Sequence, residues 1–495
     1  MRTIAELLRW RARRHPTVQA VWFEGKAQTY GELDQSSSQL AAGLVDRLGL
    51  APGDRVAILD KNCAAYLELF FALDKAGVVA APLSWRLTPR EIKQIVDEIR
   101  PRLIISAAEF KAHAEASGVP TLTFGDLPRG GEDPMRDLDG AVCFQFCTSG
   151  TTGVAKGAML TGWNVLNVGL CLALEMPEIR EGGRHLVCLP MFHIGGGGWA
   201  IWAMQQGSTA VIVREIVPET LLDIMVEQRV ETAMLAPAMM LFLTELPRSR
   251  TADFSALKHI SYGTAPISPD LLRRSIATFK CRFSQLYGLT ETTGPITALP
   301  HEQHAGERLL SCGRPMFGGR VRVVDADDND LPPYEIGEIL YLGENLMAGY
   351  WARPEATAEV MRGGWFHTGD AGYADAEGFI FLKDRIKDMI VSGGENVYPA
   401  EVEAVLMGHP EVLECAVIGV PDPRWGETVK AVVVRRSGTN LTEALLIEWS
   451  RGQLAGYKRP RSVDFIDVLP RNASGKLLKR TLREPYWAGY ARRVN

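Results

Sequence analysis

Residues 141–147 read AVCFQFC, the first of several short apolar runs that alternate with longer amphipathic stretches up to residue 288. The later short runs are STAVIVRE (208–215), VETAMLA (230–236), HISYG (259–263) and RFSQLYG (282–288). The stretches between them place apolar residues at helical spacing, over residues 163–176, 218–229, 238–246 and 268–279. Short runs rich in Val, Ile and Phe are typical of buried strands, so the alternation predicts βαβ units on a largely parallel sheet.

Polar loops follow three of these strands, FCTSGTTG (146–153), SYGTAP (261–266) and QLYGLTE (285–291). The carboxyl ends of parallel strands lie at one edge of a sheet, where α/β proteins bind their ligands. We therefore expect the three loops to meet at one edge, although they are far apart in the chain.

Composition excludes several classes of protein. The 495 residues are 46% hydrophobic and 23% charged, which is typical of a globular protein and excludes disordered, collagen-like and small disulfide-rich chains. The length predicts about three folding units. The formal charge of −5 argues against a protein that binds nucleic acid over its whole surface. Residues 451–495 are an exception, because eleven Lys/Arg against three Asp/Glu give this tail a charge of +8.

The eight cysteines form no CxxC pair, which predicts free thiols in a reducing compartment and no structural zinc. No apolar stretch reaches the length of about 18 residues that a membrane span needs, so we expect a cytoplasmic protein without a transmembrane segment. Four arginines near the start favour a solvated helix face, with peripheral contact to an anionic membrane as the alternative: Arg9, Arg11, Arg13 and Arg14.

The texture of the sequence changes twice after residue 310. Residues 320–343 are rich in Gly, Pro and Asp and predict a small β-rich unit. From Lys383 the chain predicts a strand, a glycine turn, a helix beginning near Pro399 and a second strand. We expect an α/β fold with a large N-terminal domain over residues 1–383 and a small mobile α+β domain over 384–495. The charged KDR segment, which interrupts a strand pattern, is the predicted hinge between the two domains.

The strongest local motif is TSGTTGVAKGAML, residues 148–160. Its glycines allow backbone N–H groups to approach a phosphate, its hydroxyls donate further hydrogen bonds, and Lys156 adds positive charge. The motif is not a Walker A loop, because Ala155 and not glycine precedes the lysine. It predicts a phosphate-binding loop.

This loop resembles the signature of the acyl-adenylate-forming superfamily, which groups acyl-CoA synthetases, luciferases and peptide-synthetase adenylation domains. Further segments match the superfamily in order, from residue 2 to 485: PMFHIGG (190–196), GTAP (263–266), QLYGLTETTG (285–294), GGWFHTGD (363–370), KDRIKDMIVSGGENVYPAEVE (383–403) and PRNASGKLLKRTLR (470–483). Val154-Ala155 departs from the usual proline before the lysine, a change that we expect to affect loop stiffness only.

The resemblance implies a site for Mg²⁺ and ATP. Its phosphate loop consists of Thr148, Ser149, Gly150, Thr151, Thr152, Gly153 and Lys156. Its adenine slot consists of Gly263, Thr264, Ala265, Pro266, Tyr287 and Gly288, and Thr290 is expected to bind the nucleotide as well. Glu291, with Thr151, is expected to hold Mg²⁺, which prefers oxygen ligands. Asp370 and Arg385 are expected to bind the ribose.

The resemblance also implies a reaction in two steps. A carboxylate attacks Mg·ATP to give acyl-AMP and pyrophosphate, with Lys476 offsetting the charge that builds between the two anions. The C-terminal domain then rotates about Asp384, so that the face formed by Gly393 and Gly394 lines the path by which CoA displaces AMP.

The identity of the acid depends on the residues around His193. Relatives that activate amino acids carry an Asp there, so we expect a different acid, with His193 as a gate of the acyl pocket. The glycines 195–198 beside Trp199 and Trp202 predict a deep channel. We rank medium- to long-chain fatty acids first because four neighbouring side chains suit an alkyl chain: Met191, Phe192, Met239 and Met240.

Two alternatives remain beside the fatty acyl-CoA ligase. One is a ligase for aryl acids of the cinnamate or benzoate type. The other is an acyl-AMP ligase that loads a carrier protein, although the short interval between Glu291 and Thr368 leaves little room for the insertion of such relatives. The expected partners are thus a small carboxylic acid, ATP and CoA, without nucleic acid, and a homodimer is left open.

Overall fold

The computed structural model describes residues 1–134, 138–148, 156–265, 267–471 and 477–488. The chain forms two compact units, the first of residues 1–321 and 341–366 and the second of residues 322–340 and 367–495. Each unit combines helices with strands, which confirms the mixed α/β class. The predicted division into a domain of residues 1–383 and a mobile domain of residues 384–495 describes which part of the chain moves, and it stays a prediction.

The described residues up to 360 contain the α-helices α1 (Ile4–Arg14), α2 (Tyr30–Asp46), α3 (Ala64–Ala76), α4 (Pro89–Ile99), α5 (Lys111–Glu115), α6 (Gly162–Glu175), α7 (Ile194–Gln205), α8 (Pro218–Glu227), α9 (Pro237–Glu245), α10 (Pro269–Phe279) and α11 (Pro354–Val360). The strands of this stretch are β1 (Gln19–Phe23), β2 (Lys26–Thr29), β3 (Arg55–Leu59), β4 (Val79–Leu83), β5 (Leu103–Ser106), β6 (Thr121–Thr123), β7 (Val142–Thr148), β8 (Lys156–Thr161), β9 (Arg184–Val187), β10 (Thr209–Ile212), β11 (Thr232–Leu235), β12 (His259–Gly263), β13 (Arg282–Leu289), β14 (Gly294–Leu299), β15 (Arg314–Pro315), β16 (Arg320–Val324), β17 (Gly337–Leu342) and β18 (Gly349–Tyr350).

A nine-stranded sheet forms the centre of the first unit, in the order β15-β14-β13-β12-β11-β9-β10-β1-β2. Strands β9 to β13 are parallel to one another, with helices α7 to α10 in the connections. The helices start at local signals: Ser268 Oγ, for example, accepts a hydrogen bond from the Leu271 N–H at the start of α10. The βαβ pattern predicted for residues 208–288 is confirmed.

The strand of residues 142–148 lies elsewhere, in a seven-stranded sheet of order β18-β8-β7-β4-β3-β5-β6. Strand β7 is parallel to β4 but antiparallel to β8, which follows directly after the phosphate loop. The expectation that β7 shares a sheet edge with β12 and β13 was therefore wrong. The reason is that residues 156–161 form a strand of their own and turn the chain back along β7.

Helix α1 packs into the first unit. Arg11 is buried, donates to the Gln205 carbonyl and forms an ion pair with Glu181. Arg9 pairs with Asp133, whereas Arg13 is exposed. Two of the four arginines considered for a membrane surface are thus engaged within the protein. Within the described ranges, none of the helices is long and apolar enough to cross a membrane.

The second unit combines two sheets. Its later elements are β19 (Phe366–Ala374), β20 (Ile380–Arg385), β21 (Ile390–Ser392), β22 (Glu395–Val397), α12 (Pro399–Met407), β23 (Val412–Asp422), β24 (Gly426–Arg435), α13 (Glu443–Ser450), β25 (Ser462–Phe465) and α14 (Lys479–Trp487). One sheet has the order β16-β17-β19-β20, and the other has the order β22-β21-β24-β23 with β25 beside β24. The β-rich unit and the α+β module are confirmed. The KDR segment, however, ends strand β20 and does not interrupt a strand.

Candidate active site

The carboxyl ends of β12 and β13 bring two of the predicted loops together. The two strands are parallel neighbours, with Gly263 opposite Leu286. A Cβ on Gly263 would lie 2.3 Å from the Leu286 carbonyl oxygen, and a Cβ on Gly288 would lie 1.9 Å from the carbonyl oxygen of Gly294. The backbones approach so closely here that only glycine fits.

The other residues of the predicted adenine slot lie around these glycines. Thr264 and Ala265 follow β12 directly and are exposed, and Thr264 adopts a φ of +68°. Tyr287 lies near the end of β13 and is largely buried, and Thr290 begins the turn after β13. Pro266 lies outside the described residues. The structure thus brings together the described members of the slot.

Glu291 lies in the tight turn between β13 and β14. The turn is held by its own hydroxyls, since Thr292 Oγ1 accepts from the Leu289 N–H at 2.9 Å and Thr293 Oγ1 donates to the Asn345 carbonyl at 2.7 Å. The Glu291 carbonyl accepts from the Met347 N–H at 2.8 Å. These contacts fix the backbone from which the Glu291 carboxylate projects.

Tyr350 connects this turn to the phosphate loop. Its hydroxyl donates to Glu291 Oε1 at 2.8 Å, and the Nζ of Lys156 lies 5.1 Å from the centre of its ring. Tyr350 lies in β18, which pairs with β8 next to Lys156. The sequence analysis missed this residue, because the GYW in which it stands has no motif that indicates chemistry. One tyrosine therefore contacts both the carboxylate and the lysine expected at the nucleotide.

The phosphate loop is closed at its base. Thr148 and Lys156 are opposite each other in the β7–β8 ladder, and the Thr148 hydroxyl donates to the Lys156 carbonyl at 3.3 Å. Five predicted loop residues lie outside the described residues, and they include Thr151 with its expected role at the metal: Ser149, Gly150, Thr151, Thr152 and Gly153.

His193 is the residue before helix α7, and its side chain does not cap the helix. Its Nε2 atom is buried and has no hydrogen-bond partner among the described residues. Burial lowers the pKa of the imidazole to about 4, and the positive charge of Arg86 acts in the same direction. His193 is therefore neutral at pH 7.

The four glycines beside His193, at which a deep channel was expected, lie in the first turns of α7. A Cβ on Gly196 would lie 2.2 Å from the Pro190 carbonyl oxygen, and one on Gly198 would lie 2.8 Å from the Ile194 side chain. Gly197 is similarly close to the Met191 carbonyl. Three of the four glycines thus serve close packing, and the expectation of an open channel at them is corrected.

In the second unit, Asp370 and Arg385 face each other across the β19–β20 ladder. Asp370 Oδ1 lies 2.6 Å from Arg385 Nε, and Arg385 also donates to the Thr368 carbonyl at 3.2 Å. The side chain of Asp370 is largely buried. The structure thus joins the two residues expected at the ribose in one ion pair.

Gly393 and Gly394 form the two-residue turn between β21 and β22, with φ values of +62° and +87°. The Gly393 N–H donates to the Trp425 carbonyl at 2.9 Å, and a Cβ on Gly393 would lie 2.7 Å from the Trp425 ring. The sequence analysis did not single out Trp425. Lys476 lies outside the described residues. Arg471 and Leu477, which flank its segment, form an isolated β-bridge with each other.

Comparison with known proteins decides the family. The AMP-binding enzyme family matches residues 8–351, and its C-terminal domain matches residues 401–476. The chain belongs to the AMP-binding enzyme family. The match of both regions in one chain agrees with the order of motifs in the sequence.

Members of the family resemble the chain over nearly its whole length. A feruloyl-CoA synthase from Amycolatopsis sp. is 41% identical over 96% of this chain and 97% of its own. A fatty acid–[acyl-carrier-protein] ligase, ScoC, from Streptomyces coeruleorubidus is 38% identical over 100% and 98%. The structure of o-succinylbenzoate CoA synthetase from Bacillus subtilis with its acyl-adenylate intermediate superposes with a TM-score of 0.90, at 32% identity and 98% coverage of both chains. This AMP-binding enzyme is accordingly an AMP-forming acid–thiol ligase.

The family uses ATP with Mg²⁺ and CoA, and the described residues of this AMP-binding enzyme include groups that suit the metal and the nucleotide. The donor set suits Mg²⁺, because a carboxylate oriented by one hydrogen bond leaves oxygen atoms for the ion. The glycines at 263 and 288 let the backbones at the ends of β12 and β13 pack closely, which fixes the loops expected at the adenine. Asp370 offers two acceptor oxygens, matched to the two hydroxyls of a ribose.

Proposed function

We propose that the chain is an ATP-dependent carboxylic acid:CoA ligase. In the first step a carboxylate oxygen attacks the α-phosphorus of ATP, the bond to the β-phosphate breaks, and acyl-AMP and pyrophosphate form. In the second step the CoA sulfur attacks the acyl carbonyl, AMP leaves and the thiol proton is released. The observation that carries the proposal is the contact of Tyr350 with both Glu291 and Lys156.

In the first step, the residues of the first unit act by holding charge in place. Lys156 and the phosphate loop bind the triphosphate, with Thr148 at the base of the loop. Glu291 and Thr151 would hold Mg²⁺, which when bound would supply positive charge beside the phosphates. The Tyr350 hydroxyl keeps the Glu291 carboxylate in one orientation, so that less reorganisation is needed when the nucleotide binds.

The second unit supplies the groups that act on the ribose and on the reacting carboxylate. Asp370 accepts hydrogen bonds from the ribose hydroxyls, and Arg385 supports it through their ion pair. Lys476 offsets the negative charge where the carboxylate meets the α-phosphate. For the second step the C-terminal domain rotates about Asp384, and the turn of Gly393 and Gly394 lines the path of CoA.

The first candidate acid is a medium- to long-chain fatty acid. Four apolar residues whose side chains suit an alkyl chain are buried in the first unit: Met191, Phe192, Met239 and Met240. The imidazole of His193 is neutral as well, which suits an uncharged alkyl chain. The location in the cytoplasm stays a prediction.

A specific observation favours an aryl acid as the second candidate. Close packing at Gly196, Gly197 and Gly198 fills the space in which we expected a long channel. A compact ring needs less depth than a long alkyl chain does. The resemblance to the feruloyl-CoA synthase at 41% identity supports the same choice.

A screen of acids distinguishes these candidates. We would measure ATP–pyrophosphate exchange and CoA consumption with acetate, octanoate, palmitate, benzoate, cinnamate and ferulate. We expect exchange and CoA consumption with octanoate or palmitate for the first candidate, or with cinnamate or ferulate for the second. Exchange without CoA consumption would support loading of a carrier protein, a possibility kept open by the full-length resemblance to ScoC. If no acid drives exchange, the proposed function is wrong.

A further inference from the structure

Lys479 is a buried lysine that joins three elements of the second unit. It is the first residue of α14, and only 13% of its side chain is exposed. Its Nζ atom lies 2.8 Å from Glu403 Oε1 on α12 and 3.8 Å from Asp384 Oδ2 in β20. The lysine therefore ties α14 to the helix and to the strand that contains the proposed hinge residue.

The carboxylate of Asp384 has two backbone N–H donors beside Lys479. Oδ1 accepts from the Arg385 N–H at 2.7 Å, and Oδ2 accepts from the Ala400 N–H at the start of α12 at 2.9 Å. The side chain is 9% exposed. Since a buried carboxylate needs a counter-charge, Lys479 is part of what keeps Asp384 in this position.

The described residues on either side of the segment that contains Lys476 are bonded to each other. Arg471 and Leu477 form a bridge on either side of residues 472–476, and the Leu478 N–H donates to the Pro470 carbonyl at 2.9 Å. Lys479 follows these residues directly. The point at which the chain leaves Lys476 is thus anchored, within three residues, to Asp384 and Glu403.

Two carboxylates share the single charge of Lys479, which makes the lysine hard to replace. Glu403 Oε1 also accepts from the Val417 N–H at 2.7 Å, so its position is fixed by β23 as well. A neutral side chain at 479 would leave Asp384 and Glu403 close to each other without the cation that both contact. Their repulsion would move the strand end, α12 or the start of α14.

We infer that Lys479 is a positioning residue for the first step of the reaction. It holds the start of α14, three positions after Lys476 in the chain, in fixed register with Asp384. This inference rests on the proposed function, in which Lys476 acts on acyl-AMP formation. The side chain of Lys479 is engaged by Glu403 and Asp384, so its effect on the reaction passes through Lys476.

The test compares the two half-reactions in variants of the full chain. We expect Lys479→Met to lower the rate of ATP–pyrophosphate exchange at least tenfold. Thioester formation from synthetic acyl-AMP and CoA should change less than threefold, because that step does not use Lys476. Lys479→Arg keeps the charge and should recover most of the exchange rate.

Two further variants separate positioning from loss of folding. Lys430→Met is the matched control, because Lys430 is also a buried lysine of the second unit and pairs with Asp464 in β25, at 2.5 Å. It should leave both half-reactions within threefold of wild type. The double variant Lys479→Met/Glu403→Gln removes the excess negative charge and should fold, yet still lose exchange.

The inference is overturned if Lys479→Met reduces both half-reactions equally, or if the double variant recovers wild-type exchange. It is likewise overturned if the lysine-to-methionine change at residue 430 reduces exchange as strongly. Failure of the proposed function is a separate result, since wild type would then show no exchange with any acid. A wild-type enzyme that is active and a Lys479→Met variant with unchanged exchange would reject the inference alone.

Discussion

Tyr350 lies outside the sequence motifs, but its hydroxyl donates a hydrogen bond to Glu291, which lies inside one of them. Its oxygen lies 2.8 Å from the Glu291 carboxylate, and the two residues are 59 positions apart in the chain. A hydrogen bond to a charged group stabilises by about 1.5–3 kcal/mol. In the proposed mechanism this energy keeps the carboxylate in the orientation that binds Mg²⁺.

Removing that hydroxyl tests its role. We expect Tyr350→Phe to lower kcat/KM for ATP–pyrophosphate exchange by about tenfold to a hundredfold, the equivalent of about 1.5–3 kcal/mol. The ring of residue 350 stays in place beside Lys156, so only the hydrogen bond to Glu291 is lost. Because Glu291 is the proposed ligand of Mg²⁺, half-maximal exchange should then need a higher Mg²⁺ concentration. The matched control is Tyr334→Phe, whose ring is exposed in the second unit. Equal rates in the two variants would contradict the role of Tyr350.

At the scale of elements, the packing of helix α7 explains why a run of four glycines can be helical. Glycine in a helix costs about 0.5–1 kcal/mol relative to alanine. The cost is accepted at Gly196 because its missing side chain lets the helix pack directly on the carbonyls of Leu189 and Pro190. Gly195 has no such neighbour, since the nearest side-chain atom, in Leu189, lies 3.6 Å from the position of its Cβ.

The two neighbouring glycines should therefore respond in opposite directions to the same substitution. We expect Gly196→Ala to destabilise the protein by more than about 2 kcal/mol, because its Cβ would overlap backbone that cannot move away cheaply. Gly195→Ala should be neutral or stabilise by up to about 1 kcal/mol. Urea unfolding curves measure both changes. A loss of stability in Gly195→Ala as large as in Gly196→Ala would contradict this account of the packing.

The pairing of elements marks the limit of what the sequence predicts. Local patterns were enough for the strands β10 to β13 and for the helices between them. They did not predict that β7 belongs to another sheet, because that depends on β8 and on β4, which lies about 60 residues earlier. Tyr350 and Lys479 were missed for the same reason, since each acts through partners distant in the chain.

At the scale of the whole molecule, buried histidines make stability depend on pH. Burial lowers the pKa of His185 to about 3 and the pKa values of His193 and His304 to about 4, against an ordinary value of about 6.5. A lowered pKa in the folded state means that the unfolded chain binds protons more readily. Stability from these groups is therefore complete above about pH 6.5 and is lost as the pH falls towards 4.

One buried carboxyl acts in the opposite direction. Burial raises the pKa of Asp74 to about 6, so the folded state takes up this proton first. Protonation of Asp74 therefore favours folding as the pH falls from about 6. At pH 5 it offsets about 1 kcal/mol of the stability that is lost through the histidines. The three histidines cost about 2 kcal/mol each at that pH and outweigh it.

We therefore expect the free energy of unfolding in urea to fall by several kcal/mol between pH 7 and pH 5. His304→Gln removes one of the three groups, so this variant should lose about 2 kcal/mol less than wild type over the same interval. His113→Gln, at an exposed position, should follow the wild-type curve and serves as the control. If His304→Gln and wild type lose the same stability between the two pH values, protonation of the buried imidazole is not what destabilises the fold in acid.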